Sequence, residues 1–552
     1  MRLERGVPMG NHTAWAMGSL LWVLATGCDG APHLGSLPEA PEEVAAAELT
    51  KTAAFDGGLA PLSTVRIPRP VGGDVVNRAA AVRLGKIFFW EMQAGSDGQT
   101  ACASCHFAAG VDRRRLNTLN PGPNARFESN GVSGPGQVAA EANIGSDDRL
   151  GSQGVAAATF VALASDPSIA VDQCLVAPAP PFDGERQVTP RQAPSVVGAV
   201  FYREAFWDGR AHSTFNGLDP FGDSGNAEPG GLRIQSAALA SQAVGPPGNA
   251  IEMACAGRGL NGPSGLGAKL LARAPLRLQQ VDRTDGVLGR LSAWPSTGLW
   301  CGSAPCTYRG LIEAAFGCGL ANDAENQFSR IWGQALAAYE ATLIPDHTPL
   351  DQFLAGASGA LDAPSRQGLE LFLGKGLCIH CHAGPELSDA TVGFALTHGL
   401  INEDGGDQGF HHTGVRPVSF RTSEDEGRAG MGPKGVSFSI SRSGVDRGAF
   451  KTPGLRNVKL TAPYFHNGGK ATLGDVVDFY ARGGDFKNPS SRVRGVSLLP
   501  GEREALVAFL ENALTDCRTQ KEQAPFDHPS LGVPNGPQLS AVGAAGTGAC
   551  PP

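Results

Sequence analysis

Residues 374–384, GKGLCIHCHAG, contain Cys378, Cys381 and His382 in the spacing Cys-x-x-Cys-His. Two cysteines three positions apart, followed at once by a histidine, are the attachment signature of a c-type haem. The cysteines bond the haem vinyl groups, and one turn of helix brings the histidine under the iron. The stretch therefore predicts a covalently bound haem with His382 on one side of its iron, and it leaves the opposite side to be assigned.

The same motif occurs a second time, as Cys102-Ala-Ser-Cys105-His106. With 12 cysteines and 12 histidines in 552 residues, chance alone would produce far less than one such pattern. The alternative for paired Cys-x-x-Cys units is a zinc site. Structural zinc pairs usually lie a few tens of residues apart, whereas these motifs begin at residues 102 and 378. We therefore expect two covalently bound haems.

The overall composition favours compact domains joined by long loops. The chain has 75 glycines and 40 prolines, which is above the average proportion but below that of disordered chains. Its formal net charge of −8 argues against nucleic acid as a partner. A basic partner protein is compatible with this charge, as is any soluble acidic protein.

Residues 1–28 are typical of an export signal. Arg2 and Arg5 precede the apolar run AWAMGSLLWVLA at 14–25, which is too short to span a bilayer comfortably. The run ends in LATGC, which resembles a bacterial lipobox with Cys28 as the lipidated residue; the alternative is an ordinary cleaved signal. Residues 29–60, rich in Ala, Pro and Glu, are expected to form a flexible tether. Either signal predicts a location in the periplasm or on a membrane surface that faces it.

Seven cysteines remain outside the haem motifs and the lipobox, and most should pair in an oxidising compartment. Cys301 and Cys306 would close the short loop CGSAPC, and Cys517 would hold the C-terminal tail at Cys550. Because seven is odd, one thiol is expected to stay free. The sequence leaves open how the others pair, and they are Cys174, Cys255 and Cys318.

Helical patterns dominate the chain, and sustained alternating strand patterns are scarce. Apolar periodicity and capping residues predict helices at 77–91, 327–344, 365–377, 472–484 and 500–514. The fold class is therefore mainly α, built from two related haem units with long loops and inserts. We place these units at 61–345 and 346–516. Residues 517–552 form a Gly/Pro-rich tail that is expected to have little to pack.

Several long blocks resemble the bacterial di-haem cytochrome c peroxidase and MauG family, over most of residues 75–515. They are LGKIFFWEMQAGSDGQTACASCH, RQAPSVVGAVFYREAFWDGRA, FHHTGV, DEGR and AFKTPGLRNVKLTAPYFHNGGKATLGDVVDFYARGG, in the family's order. The resemblance implies two cytochrome-c-like domains. It also implies that the N-terminal haem reacts with hydrogen peroxide and that the C-terminal haem stores or relays electrons.

The N-terminal iron is expected to be five-coordinate and open to peroxide. In many of these peroxidases a second histidine, shortly after the first motif, caps this iron until reduction releases it. Gly122 stands at that position here, and the next histidine after His106 is His212, in the block WDGRAH. A more distant residue that folds onto the iron is the alternative.

Catalytic residues are implied by the same resemblance. Gln242 and Glu252, in SQAVGPPGNAIEM, match the family's distal Gln and Glu, although an insertion at about 215–238 breaks the usual spacing from WDGR. A carboxylate over the haem would move a proton between the peroxide oxygens. Trp207 matches the tryptophan that lies between the two haems and would relay electrons. The plainer alternatives are a solvated loop carboxylate for Glu252 and a core aromatic residue for Trp207.

A calcium ion lies between the domains in relatives. Thr461 and Pro463, in LTAPYFHNG, match two positions whose main-chain carbonyls hold it. The family's Asn is replaced by Gln192, whose longer side chain would still reach because calcium accepts flexible oxygen geometry. We therefore expect one calcium ion, held partly by these three residues.

Tyr480 is the expected ligand on the open side of the His382 haem. In ordinary family members a methionine ligand lies fourteen residues beyond the histidine of PYFHDG, and the same count from His466 reaches Tyr480, where the MauG branch carries tyrosine. The competitors are His398, His411 and His412, and the plainer alternative is a core tyrosine on an amphipathic helix. A hard phenolate favours the higher oxidation states of iron.

The leading functional hypothesis is an exported di-haem peroxidase of the MauG-like branch. It would use hydrogen peroxide and draw electrons from a small redox protein, such as a cytochrome or cupredoxin, or from a protein substrate. Two alternatives remain. One is a non-catalytic di-haem electron-transfer cytochrome, against which Gln242, Glu252 and the missing sixth ligand argue. The other is a di-haem oxygenase acting on an organic substrate, for which the inserts at 110–190 and 215–330 would build a cleft.

Overall fold

The structure is a computed structural model that describes residues 58–128, 136, 147–226, 231–417, 426–487 and 493–550. The predicted export signal, Cys28 and most of the predicted tether lie outside these residues. Within the described ranges, no helix is both long enough and apolar enough to cross a bilayer.

Twelve α-helices occur in the described residues, and most are short. They are α1 (Arg78–Trp90), α2 (Ala103–His106), α3 (Ala238–Ala243), α4 (Leu266–Leu271), α5 (Tyr308–Asn322), α6 (Phe328–Glu340), α7 (Pro349–Leu354), α8 (Ala363–Leu373), α9 (Val392–His398), α10 (Leu473–Ala481), α11 (Glu502–Ala508) and α12 (Cys517–Gln520). The strands form separate antiparallel pairs, of which β4 is the longest strand with 5 residues. The pairs are β1 (Leu119–Asn120) with β2 (Arg149–Leu150), β3 (Gln153–Ala156) with β6 (Arg186–Val188), β4 (Ala158–Ala162) with β5 (Gln173–Val176), β7 (Trp300–Cys301) with β8 (Ala304–Pro305), β9 (Phe410–His411) with β10 (Phe450–Lys451), and β11 (Leu531–Gly532) with β12 (Gln538–Leu539).

The five predicted helices are confirmed as α1, α6, α8, α10 and α11, with ends that differ by a few residues. Asn77 caps α1 by accepting the N–H of Ala80, and Thr472 begins α10 in a reciprocal capping box with Asp475. Helix α8 ends at Leu373, earlier than predicted, because the chain leaves the helical conformation at Gly374. Helix α11 continues as a wider turn over Phe509–Ala513.

The first core is built around the close packing of α1 on α6. A Cβ atom at Gly85 would come within 1.9 Å of the carbonyl oxygen of Ala335, so glycine permits the two helices to approach. The ring of Phe88 contacts that of Trp332, with 4.5 Å between their centroids, and both side chains are fully buried. Helix α1 ends at Trp90, and the chain then turns towards the Cys102 motif.

The second core lies between α8 and α11. Phe372 of α8 contacts Phe509, which follows α11, with 5.2 Å between ring centroids, and Leu369 and Leu506 are buried beside them. Helix α8 leads directly to the Cys378 motif. Each attachment motif therefore follows a helix that is anchored in its own hydrophobic cluster.

The C-terminal tail packs against the first core, so the expectation that residues beyond 516 have little to pack is wrong. Leu531 and Val533 are buried in the first hydrophobic cluster. The imidazole of His528 stacks on Trp90 with 4.7 Å between centroids, and Asp527 lies 3.3 Å from the Nζ of Lys86. The tail has few apolar residues of its own. It packs because residues of the first core, which are distant in sequence, contact them.

Three disulfides are present in the described residues. Cys301–Cys306 and Cys517–Cys550 were predicted and are confirmed, and Cys174 pairs with Cys255 across 81 positions. Cys318 is disulfide-bonded as well, so the expectation of one free thiol among the seven is wrong.

Candidate functional site

The cysteines of the two Cys-x-x-Cys-His motifs are set apart from all others in the described chain. Cys102, Cys105, Cys378 and Cys381 carry free thiols, although four Cys side chains in an oxidising compartment would readily pair. Each pair is followed by a histidine that is oriented through its Nδ1 atom. These features are what covalent haem attachment requires.

His106 is the last residue of the short helix α2. Its Nδ1 lies 2.7 Å from the carbonyl oxygen of Gly110, which directs the other ring nitrogen, Nε2, away from that carbonyl and leaves it free to bind a metal. Burial lowers the pKa of the imidazole and favours the neutral form that a metal ligand needs.

A cavity of about 410 Å³ opens beside His106, Cys102 and Cys105. Gln242, from the end of α3, and Glu252, from the loop that follows, line the same cavity. The insertion that breaks the spacing between WDGR and Gln242 therefore leaves these groups together. Of the described residues lining this cavity, the only histidine is His106, while Met253 and Met431 contribute thioethers.

Strands of the insert position the loop that carries Glu252. The N–H of Val155 in β3 donates to the carbonyl of Ile251 at 3.0 Å, and the disulfide at Cys255 ties the loop to β5. Gly154 lies so close that a Cβ atom there would come within 1.9 Å of that same carbonyl. Burial raises the pKa of Glu252, opposed by the positive charge of Arg210.

The second motif, Cys378 to His382, follows α8 and has a matching local geometry. The Nδ1 of His382 lies 3.1 Å from the carbonyl oxygen of Leu387, and burial lowers the pKa of this imidazole too. Both motifs thus present a neutral, oriented imidazole next to two free thiols.

Tyr480, on α10, lies near the thiols of the second motif. Burial raises its pKa, and the charges that Cys381 and Cys378 would carry as thiolates add to this effect. Its ring also contacts Phe479, with 5.1 Å between centroids.

The competing histidines are differently placed. The Nε2 of His411 lies 2.6 Å from a carboxylate oxygen of Asp389, and the pKa of His411 is held well above its usual value by that carboxylate, against the effect of burial. That contact with Asp389 occupies the Nε2 atom of His411. The ring of His398 stacks on that of Phe394. The charge of His412 is one of the effects that lower the pKa of His466.

A family model described as di-haem cytochrome c peroxidase matches residues 79–359, which is just over half of the chain. The chain belongs to the di-haem cytochrome c peroxidase family. Relatives of this chain include enzymes named as cytochrome-c peroxidases, and the family is one of oxidoreductases.

Two relatives illustrate the similarity to this family member. It is 35% identical to the cytochrome-c peroxidase IdrP2 of Denitromonas iodatirespirans, over 33% of this chain and 48% of the relative. It is 31% identical to the methylamine utilization protein MauG of Methylorubrum extorquens, over 32% of this chain and 42% of the relative. The chain spans about half the length of the curated relatives it matches. A solved structure described as a MauG-like protein associated with microbial copper homeostasis is 21% identical, with coverage of 85% of this chain and 97% of that chain and a TM-score of 0.47.

The donor sets of this di-haem peroxidase family member fit two c-type haems. Each set combines two free thiols with an imidazole whose Nδ1 is already hydrogen-bonded, and the first also borders a cavity. Cys102, Cys105 and His106 would hold one haem, and the second motif would hold the other. Each iron would supply the redox chemistry of a c-type haem.

Trp207 is held by a main-chain hydrogen bond and an aromatic contact. Its indole N–H donates to the carbonyl oxygen of Gln192 at 2.8 Å, and its ring meets that of His466 edge-on, with 6.3 Å between centroids. It lines both the His106 cavity and a smaller cavity of about 120 Å³.

The smaller cavity brings together the three residues expected to hold calcium, which are Gln192, Thr461 and Pro463. Lys451 and Arg456 line it too, while Glu386 is the only carboxylate among its described lining residues. The side-chain amide of Gln192 donates to the carbonyl of Asp112 at 3.0 Å, which leaves its amide oxygen for a cation. Calcium therefore stays a prediction at this point.

Two residues of the His106 cavity were missed from the sequence. Arg210 is held by Asp208 at 2.9 Å and lies over the ring of Phe206, and its charge acts on Glu252. Glu340, at the end of α6, is buried, and burial raises its pKa to about 8. Arg210 could have been identified from the sequence, because it belongs to the block WDGR. Nothing in the local sequence distinguishes Glu340 from an ordinary carboxylate at the end of a helix.

Proposed function

We propose that this protein is an exported di-haem peroxidase that reduces hydrogen peroxide at the His106 haem. Electrons would pass through the His382 haem from a small redox protein or a protein substrate. The observation that carries this proposal is the cavity that holds His106, Gln242 and Glu252 together. A protein that only relayed electrons would gain nothing from an acid–base group beside an accessible iron.

The reaction consumes one peroxide, two electrons and two protons, and it yields two water molecules. Bound haem iron would supply the redox chemistry that cleaves the O–O bond. Glu252, as a carboxylate, accepts the proton of the inner peroxide oxygen and delivers it to the outer oxygen, which leaves as water. The amide of Gln242 orients the peroxide, and the positive charge of Arg210 acts against burial to lower the pKa of Glu252.

Electron transfer through the second haem unit is the other part of the proposed function. We assign residues 61–345 to a peroxide-reacting haem unit and 346–516 to an electron-transfer haem unit in a mainly α fold, with Trp207 between them. Tyr480 would hold the second haem together with His382. Because a phenolate stabilises oxidised iron, this haem would share the oxidising equivalents instead of storing a single electron. That favours MauG-like oxidation of another protein over simple peroxide removal.

The remaining parts of the proposal follow from the sequence. The signal at residues 1–28 directs the chain to the periplasm. One calcium ion occupies the cavity lined by Gln192, Thr461 and Pro463, where main-chain carbonyls and the free amide oxygen of Gln192 support it.

The test is rapid mixing of the oxidised two-haem protein with hydrogen peroxide, followed by a reduced small cytochrome. We expect fast spectral change at the first haem and stoichiometric oxidation of two cytochrome molecules per peroxide. Oxygen uptake with an added hydrocarbon, and no response to peroxide, would instead indicate an oxygenase. No response to either would indicate a simple electron carrier.

A further inference from the structure

A separate cavity of about 520 Å³ lies on the other side of Tyr202 from the His106 site. The segment 68–78, helices α3 and α6, and the start of α9 surround it. Its walls are mostly apolar, and the side chains that form them include Val75, Val200, Ile234, Leu239, Ala337, Ala338, Ala341 and Val392. A concave, apolar space of this size with a few polar groups is what small organic ligands occupy in proteins.

The charged groups of this cavity are all positive. Arg69, Arg78 and Arg203 line it, and its described lining residues include no Asp or Glu. Arg203 is paired with Glu204 at 3.1 Å, outside the cavity. Arg69 and Arg78 are exposed residues of this lining, and the charge of Arg69 adds to the effect of burial in lowering the pKa of Arg78. The charged side chains of this lining therefore favour an anionic ligand over a cationic one.

Tyr202 and Leu239 form the wall between this cavity and the His106 cavity, since both residues line both spaces. The Nζ of Lys451 lies 3.1 Å from the centroid of the Tyr202 ring, and the main-chain N–H of Lys451 donates to the carbonyl of Trp207. A ligand in the cavity would thus be separated from the His106 cavity by the thickness of one side chain. That distance suits the transfer of single electrons but excludes direct contact with peroxide.

We propose that this cavity, which we name the arginine cavity, binds an aromatic carboxylate with a phenol group and uses it as a small-molecule electron donor. Its carboxylate lies between Arg69 and Arg78, which suit planar, two-point recognition of this group. Its ring lies against the apolar wall beside Tyr202. The inference rests on the proposed peroxidase function for its redox part, but the binding part stands independently.

The donor reaction balances with peroxide as the oxidant. Two phenols each lose one electron and one proton and become phenoxyl radicals. The two electrons and two protons convert one hydrogen peroxide to two water molecules. No further oxidant or reductant is needed.

Binding is tested first, by calorimetry on the two-haem protein with benzoate, which cannot act as a phenolic donor. We expect benzoate to bind and its neutral methyl ester to bind about tenfold more weakly or worse, because a charge-assisted hydrogen bond is lost. Arg69→Gln and Arg78→Gln should each weaken benzoate binding by a similar factor. Arg66→Gln, an exposed arginine outside the cavity lining, should leave it unchanged. Equal binding by all four proteins, or no binding, overturns the proposal.

Donor activity is tested with 4-hydroxybenzoate and peroxide. We expect oxidation with a KM that rises about tenfold in Arg78→Gln while kcat stays nearly constant, and oxidation of a reduced cytochrome that does not change in this variant. If the cytochrome is oxidised but 4-hydroxybenzoate, though bound, is not, the donor role is wrong. If peroxide oxidises no donor at all, the proposed peroxidase function fails, and the binding result still decides whether the arginine cavity is an anion site.

Discussion

The two attachment motifs share the Cys-x-x-Cys-His sequence and its local geometry, but the residues that surround them differ greatly. In both, a helix from a hydrophobic core leads to two free thiols and a histidine whose Nδ1 meets a main-chain carbonyl. Beyond that, His106 borders a cavity with a carboxylate, an amide and a guanidinium, whereas the second motif has a buried phenol nearby. The two motifs therefore share one local geometry, and residues from distant segments make their surroundings different.

The strongest test of the comparison is the removal of one haem at a time. Replacing Cys102 and Cys105 by Ala should remove one covalent haem and abolish peroxide turnover. The matched change of Cys378 and Cys381 to Ala should also remove one haem but leave a reaction with peroxide at the other. Mass spectrometry and pyridine haemochrome assays measure the haem content. Retention of both haems in either double variant, or a zinc signal, would contradict the assignment.

The second test concerns the carboxylate of the first site. Glu252→Gln should slow the reaction with peroxide by roughly 10²–10⁴, the usual scale for a lost acid–base group. Because burial raises the pKa of Glu252, the wild-type rate should fall as the pH drops through that raised value, and the variant should lack this fall. Stopped-flow absorbance across pH measures both effects. Glu340→Gln, which removes a second carboxylate from the same cavity, is the control and should cost less than about tenfold. A larger loss in the control than in Glu252→Gln would reassign the role.

The third test concerns the phenol of the second site. Tyr480→Phe should leave peroxide binding at the first haem within about threefold of wild type, but the shared high-valent state should be lost. Freeze-quench spectroscopy after peroxide addition detects that state. Tyr464→Phe, in the same half of the chain, is the matched control. An unchanged second haem in Tyr480→Phe would make Tyr480 a core residue.

The smallest expected effect is that of calcium removal. Chelation should slow electron transfer between the haems by about tenfold or less, because the ion would bind the side-chain amide oxygen of Gln192, whose main-chain carbonyl accepts the indole N–H of Trp207. Covalent haem content should not change. Added calcium should restore the rate, and a protein that contains no calcium by elemental analysis would remove this part of the proposal.

Local features were readable from the sequence, and long-range contacts were not. The thiol motifs and the Thr472 cap of α10 each depend on residues near one another in the chain. The burial of Leu531 in the first core joins segments that are hundreds of residues apart. No local pattern encodes such a contact.

The same limit applies to the candidate site. Gln242 and Glu252 were found because their sequence block matched a family, whereas Glu340 reaches the same cavity from the end of α6. The Arg69–Arg78 pair is also invisible in a linear reading, since each arginine alone is an ordinary surface cation. Convergence of side chains from several elements is a property of the fold.

The most direct test of the account is electron paramagnetic resonance of the resting, fully oxidised protein. We expect two ferric populations in equal amounts: a high-spin haem that is open opposite His106, and a low-spin haem held between His382 and Tyr480. The high-spin signal should disappear on addition of peroxide without prior reduction. A wholly low-spin spectrum, inert towards peroxide until one haem is reduced, would show that another group, such as Met253 or Met431, closes the first iron and would contradict the central claim.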